Sequence, residues 1–267
     1  MFEPLRKMFR PRTEAPRAAV PQGERVYVVG DVHGRLDLFD ALIQAIERDD
    51  ANAPDAETTI ILLGDLVDRG PDSAGVVSRA MDLAARRTVR FLAGNHEEMF
   101  LQSFDDRNLL RHFLKHGGRA TLFSYGITQD SFNDSTLDEI QHLMERAVPQ
   151  EHRRFIAEFE ENFIIGDYLF VHAGIRPETP LEAQSRHDML WIRDRFLAYA
   201  DPHSHVVVHG HTIFEDVDER HNRIGIDTGA FRSGRLTALV LEGTERRYIQ
   251  SVEDTGSIAI HHQKARK

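Results

Sequence analysis

The sequence predicts an α/β fold with its functional side chains gathered at one edge of a sheet. Three observations predict it. A strand–turn–helix unit occurs three times in the first hundred residues. Each of those strands ends in glycine followed by an acid, an amide or a histidine. Further short apolar runs in the second half alternate as antiparallel strands do.

Residues 1–24 hold four prolines and several arginines and no apolar run long enough for a signal h-region, so they read as a flexible arm. The run Val26–Gly30 is the first strand, and Leu36, Phe39, Leu42, Ile43 and Ile46 then recur near a 3.6 period, as one helix face does. Thr59–Leu63 is the second strand. Pro71-Asp72-Ser73 starts a helix that the pattern carries to Arg87. Thr88–Leu92 is the third, with a helix expected from Glu97 to Phe104. From 105 to about 162 the sequence turns polar and helical, including Arg111–Gly118 with its glycine stop. This block reads as a cap or insertion over one sheet edge. Strands resume over Asn162–Val171 and His205–His209. Arg223–Asp227, Leu236–Leu241 and Arg246–Val252 are expected to be antiparallel neighbours. The boundaries are an arm over 1–24, one domain over 25–252 and a loose tail over 253–267.

The 267 residues include 43 acids against 33 lysines and arginines, a net charge of −10, 15 histidines and no cysteine. The absent cysteine excludes disulfides, thiolate metal sites and a cysteine nucleophile, and fits a reducing cytoplasm. The acidic balance argues against nucleic acid as a partner, because phosphate neutralisation needs a basic face. No apolar run approaches the roughly 20 residues that a membrane span needs.

The chemistry collects at the strand ends. Asp31 and His33, two apart in extended backbone, face one side and can chelate one ion. Asp65 follows the second strand, where one carboxylate can bridge two ions. Asn95 follows the third with a neutral oxygen, and His172 and His211 follow two later strands. Three histidines, two aspartates and an asparagine form an N/O donor set without sulfur. That set suits manganese, iron or zinc.

The ordered motifs GDVHG, GDLVDRG, GNHE, VHAG and GHT resemble the phosphoprotein phosphatase family of calcineurin-like metallophosphoesterases, especially its short bacterial and phage-lambda-type Ser/Thr phosphatases. The resemblance runs from about Arg25 to Leu241. It implies a four-layer α/β/β/α sandwich of two mixed sheets flanked by helices, in place of a simple doubly wound sheet. It also implies two divalent metal ions, manganese first among them, with Asp31, His33 and Asp65 on one and Asp65, Asn95, His172 and His211 on the other. In the implied mechanism a metal-bridging hydroxide attacks a phosphomonoester directly, most plainly phosphoserine or phosphothreonine in a protein. Arg69, Arg193 and Asn95 would bind the phosphate, and His96 would protonate the leaving oxygen with Asp68 fixing its tautomer. The symmetrical diadenosine tetraphosphatases resemble ARG and GNHD where this chain has Asp68-Arg69-Gly70 and Glu97. Hydrolysis of dinucleoside polyphosphates is the alternative. Several residues stay outside these roles: His205 and His209 as strand packing, His112 and His116 as a solvated helix face, Trp191 as packing, and Asp227 as a turn-former before glycine.

Overall fold

A computed structural model describes residues 17–265. The chain runs β1 (Glu24–Val29), α1 (Leu36–Asn52), β2 (Glu57–Leu62), α2 (Ser73–Ala84), β3 (Val89–Phe91) and α3 (Asn95–Gln102). A helical block follows with α4 (Arg107–Phe113), a π-turn (Leu114–Gly118), α5 (Arg119–Ser124), α6 (Gln129–Asn133), α7 (Leu137–Ala147) and α8 (Gln150–Ala157). The second half holds β4 (Asn162–Ile165), β5 (Tyr168–Val171), α9 (Arg186–Trp191), α10 (Asp194–Leu197) and β6 (Val206–His209). It closes with β7 (Asp218–Glu219), β8 (Arg223–Gly225), α11 (Ala230–Ser233), β9 (Arg235–Glu242), β10 (Glu245–Asp254) and β11 (Ser257–Lys264).

Two mixed sheets form, ordered β11-β10-β9-β1-β2-β3 and β4-β5-β6-β8-β7. Strand alternation decides which face each residue buries. Val26 and Val28 of β1 meet Tyr168 and Phe170 of β5 in the core between the sheets. Tyr27 and Val29 point the other way, into the core shared with α1, α2 and the helical block. On the far side of the second sheet, Leu169, Val171 and Val207 pack on Met189, Ile192 and Phe196 of the α9–α10 region. Three cores separate four layers, so the α/β/β/α sandwich is the observed fold. The helical block adds Leu110, Phe113, Ile140 and Met144 to the first core, and Phe91 at the sheet edge stacks on Phe159 just after α8.

Three expectations change. The tail is not loose: Thr255 and Gly256 take left-handed backbone, the two-residue turn that matches strand twist, and 257–264 pair along β10. The segment 223–225 is not a neighbour of the later strands. It lies parallel to β6 and antiparallel to β7 in the second sheet, and the chain crosses to the first sheet only at β9. Of the expected arm, residues 1–16 lie outside the described residues. The stretch just before β1 is fixed: Val20 donates to the Gly243 carbonyl, and the Tyr168 hydroxyl donates to the Ala18 carbonyl. No helix among the described residues is long and apolar enough to cross a membrane.

Candidate metal centre

The ends of β1, β2, β3, β5 and β6 converge, and the loops after them carry the polar motifs. Glycine permits the approach. A Cβ on Gly64, whose φ is +94°, would stand 2.6 Å from the Gly94 nitrogen, and one on Gly94 would stand 2.2 Å from Asp65 Oδ1. His33, Asp65, Asp68, Arg69 and His211 all take left-handed backbone, which costs side-chain-bearing residues energy and is tolerated where surrounding structure enforces it.

Asp31, His33, Asp65, Asn95, His172 and His211 are all buried here. Asp65 is the hub: its carboxylate lies 3.4 Å from His33 Nε2, 3.4 Å from His172 Nε2 and 3.9 Å from His96 Nε2. Asn95 Oδ1 sits 3.0 Å from His172 Nε2 and 2.8 Å from His211 Nδ1. Asp31 accepts the backbone N–H of His211 at 3.0 Å and borders the cluster through that loop. The ligand atoms fall into two overlapping groups, His33–Asp65–His96 and Asp65–His172–His211, each within 4.8 Å. Asp65 belongs to both.

The tautomers suit cations. His33 donates Nδ1–H to the Val67 carbonyl at 2.8 Å and His172 to the Leu63 carbonyl at 2.7 Å, so both turn an Nε2 lone pair inward. Burial holds His33 and His172 below the usual imidazole range and pushes His211 down to about 2, so these rings are neutral. Burial alone would raise Asp65, but the surrounding histidines, His172 first, hold it ionised. Burial and the facing carboxylates of Asp227 and Asp65 push Asp31 well up, a charge clash that a cation would relieve. Asp227 Oδ2 has no hydrogen-bond partner. Neutral imidazoles, crowded carboxylates and an orphaned carboxylate oxygen together fit a site for cations.

His96 differs from the other histidines. Its Nδ1 faces a carboxylate, Asp68 Oδ2, at 2.6 Å. Burial alone would lower its pKa, but Asp65 and Asp68 outweigh burial and raise it. Burial raises Asp68 as well, so the pair holds its proton as a unit. Arg69 spans the site, donating to His33 Nε2 and His96 Nε2 at 2.8 Å each, with its guanidinium over Phe231 at 4.7 Å. Arg193 stands on the far side and donates to His211 Nε2 at 3.0 Å.

Four residues sit here in positions that the sequence reading did not give them. Glu97 accepts backbone N–H groups of Asp65, Leu66, Val67 and Gly94, tying two motif loops together, and burial pushes it up to about 7. In this chain Glu97 therefore holds loop geometry. A glutamate three residues into a helix whose cap is Gly94 is a readable capping signal, visible once α3 is started at Asn95 instead of Glu97. Thr121 donates to Asp68 Oδ1 at 2.5 Å and accepts the Asp68 N–H at 2.9 Å. Nothing in the polar helical stretch around it marks it out. Asp227 is the turn-former expected, accepting Gly229 N–H at 2.9 Å, and it also faces Asp31. Phe231, two residues beyond Gly229, had no motif to reveal it.

Among the described residues, the remaining histidines do not join the two ligand groups. His209 is buried against Phe196, and burial lowers it to about 3. His112 and His116 are exposed, with ring centroids 4.2 Å apart. Trp191 is half-buried and does more than pack. It donates to Glu98 and lies about equally far from the His112, His187 and His211 rings, at 6.3–6.4 Å.

A family model described as calcineurin-like phosphoesterase matches residues 24–233. Serine/threonine-protein phosphatase 2 of Escherichia coli is 27% identical, covering 85% of this chain and 97% of its own length. An asymmetrical bis(5'-nucleosyl)-tetraphosphatase of Halalkalibacterium halodurans is 26% identical, covering 79% of this chain and 88% of its own. Among solved structures, a protein titled a putative diadenosine tetraphosphatase superposes with a TM-score of 0.59 at 20% identity, covering 93% of this chain and 99% of its own. That likeness concerns the fold.

Proposed function

The chain belongs to the calcineurin-like phosphoesterase family, and from that premise we propose that it hydrolyses phosphoserine and phosphothreonine in proteins. The family binds two divalent metals, and the chain is a metal-dependent phosphoesterase. The observation that carries the finer reading is the His96–Asp68 pair at 2.6 Å. A serine or threonine alkoxide is a poor leaving group and needs a proton as the P–O bond breaks. A nucleoside polyphosphate leaves as a stable anion and gains less from a buried proton donor.

Asp31, His33 and Asp65 would hold one cation, and Asp65, Asn95, His172 and His211 the second. Bound there, two divalent cations supply Lewis acidity towards phosphoryl oxygens and a nucleophilic oxygen at neutral pH. The sulfur-free donor set favours manganese, with iron or zinc as substitutes. The chain's own residues do the remaining work. Arg69, beside His33 and His96, and Arg193, beside His211, would donate to the non-bridging oxygens as charge builds on them, together with the Asn95 amide. Once Arg69 turns from His96 Nε2 to the phosphate, that nitrogen is free to carry the proton for the leaving oxygen. Asp68 keeps the imidazole in one tautomer and orientation, and Thr121 and the Asp68 backbone keep Asp68 in place. Glu97 fixes the loop that presents Asp65.

A specific feature favours the second reading, cleavage of dinucleoside polyphosphates. Trp191, flanked by His112 and His187, offers rings at the site mouth on which adenine could stack. The two readings part in one comparison: a phosphoserine peptide, p-nitrophenyl phosphate and diadenosine tetraphosphate, each with manganese. The proposal expects the peptide to be the better natural substrate, and His96→Asn to cost it far more than p-nitrophenyl phosphate. Faster turnover of diadenosine tetraphosphate than of phosphoserine peptides would overturn it.

A further inference from the structure

The helical block carries a feature that the hydrolytic site does not use. Beside α4 and the π-turn, facing α6 and α7, lies an open groove of about 680 Å³. Its floor is apolar, with Phe132 and Ile140 buried there and Leu114 half-buried. Its rim is basic: Arg111, Lys115 and Arg119 line it and no carboxylate does. All three are exposed, and none forms an ion pair among the described residues. Arg111 donates only to Asn108, and Arg119 lies over the Phe132 ring at 5.1 Å. Some exposed arginines of this chain pair with acids, as Arg107 does with Asp138 and Arg220 with Asp218. Others, such as Arg86 and Arg146, form no ion pair among the described residues but lie apart from one another in the sequence. What sets the groove apart is that three basic side chains line one apolar floor with no carboxylate among them, on a protein of net charge −10.

The groove is also joined to the site through the chain. Lys115 and Arg119 stand two residues either side of Gly117, whose carbonyl accepts the Arg69 N–H at 3.2 Å. A Cβ on Gly117 would stand 2.7 Å from Arg69 Cγ, so the turn between the two rim residues rests directly on Arg69.

We propose that this groove docks an acidic stretch of the phosphoprotein substrate, glutamates or aspartates on the rim and an apolar side chain on the floor. The proposal rests on the protein-phosphatase reading. Opposite charges across such a surface add to substrate affinity and encounter rate, and salt weakens both.

The test uses three phosphoserine peptides that differ only in flanking glutamates, alanines or lysines. The wild-type chain should prefer the glutamate peptide over the alanine peptide by about tenfold in kcat/KM, the scale of three modest exposed pairs acting together. The preference should lie in KM and shrink in strong salt. Arg111→Glu with Lys115→Glu and Arg119→Glu should abolish or invert it while p-nitrophenyl phosphate turnover holds, which also reports that the variant folds. Lys115→Gln with Arg119→Gln should show part of the loss, and decides the matter if the triple variant does not fold. Equal handling of all three peptides by wild type, or an intact preference in the folded charge variants, overturns the docking surface and leaves the phosphatase reading standing. Hydrolysis of p-nitrophenyl phosphate with none of any phosphoserine peptide overturns both.

Discussion

The loop crown around Asp65 and the helical block of 107–157 are built by opposite rules. In the crown, His33, Asp65, Asp68, Arg69 and His211 adopt left-handed backbone, and carboxylates and imidazoles are packed together and buried. In the block, polar side chains face solvent, and helices start with ordinary caps. Asp106 accepts from Asn108 and Leu109, Thr128 from Ser131, and Thr136 from Glu139. The crown is arranged for a chemical task at a cost in strain, and its neighbours hold it in place. The block contributes ordinary stability through its apolar faces, but it also reaches the crown through Gly117 and Thr121. The difference teaches that a region can look generic in its sequence and still hold side chains of the site in place.

Substitutions should separate the two regions by orders of magnitude. Asp65→Asn should lower turnover by about a thousandfold or more, because both cation groups lose their shared carboxylate. Steady-state assays with added manganese check this. His96→Asn should follow, with a loss of about a hundredfold or more on an alkyl phosphate, a much smaller one on p-nitrophenyl phosphate and unchanged metal content. Loss of metal in that variant would make His96 a ligand, as its place beside His33 and Asp65 permits.

Thr121→Val probes whether the boundary between the regions is real. It takes the donor from buried Asp68 Oδ1, at about 1–3 kcal/mol, while the Asp68 N–H keeps Ser73 Oγ as acceptor. We expect roughly a tenfold fall in kcat, larger for alkyl than for aryl phosphates, and recovery with Thr121→Ser. An equal loss on both ester types would reduce Thr121 to a packing residue.

Titration gives a smaller effect. Burial holds His209 neutral until about pH 3, whereas in the unfolded chain an imidazole takes up a proton near 6.5. Its contribution to stability is therefore complete above about pH 6.5. It falls as pH drops through that window, by up to about 1.4 kcal/mol per unit. Urea unfolding of metal-free protein between pH 5 and 7 should show this slope, reduced in His209→Gln. Least of all, Arg107→Ala removes an exposed ion pair with Asp138 and should change stability by under about 1 kcal/mol and turnover not at all.

What the sequence made readable was the crown's chemistry. Asp31, His33, Asp65, Asn95, His172 and His211 follow strands in recurring motifs, and the structure gathers them in one buried cluster. The strands themselves were readable because β1 and β5 alternate between two cores with period two. Less was readable where partners are distant in sequence. β8 has an antiparallel-looking pattern, yet its pairing with β6 depends on where the chain crosses between sheets. The strand 257–264 is mostly exposed, and a two-residue turn rather than a hydrophobic pattern creates it. Thr121 is 53 residues from Asp68, and no local pattern encodes that bond.

The central claim is that Asp65 joins two cation sites on which phosphoester hydrolysis depends. The direct measurement strips the protein of metal, restores manganese stepwise, and reads bound metal per chain alongside turnover. The account predicts two ions per wild-type chain, turnover rising with the second, and no more than one in Asp65→Asn. Full turnover with one ion per chain, or in the presence of chelator, would contradict it.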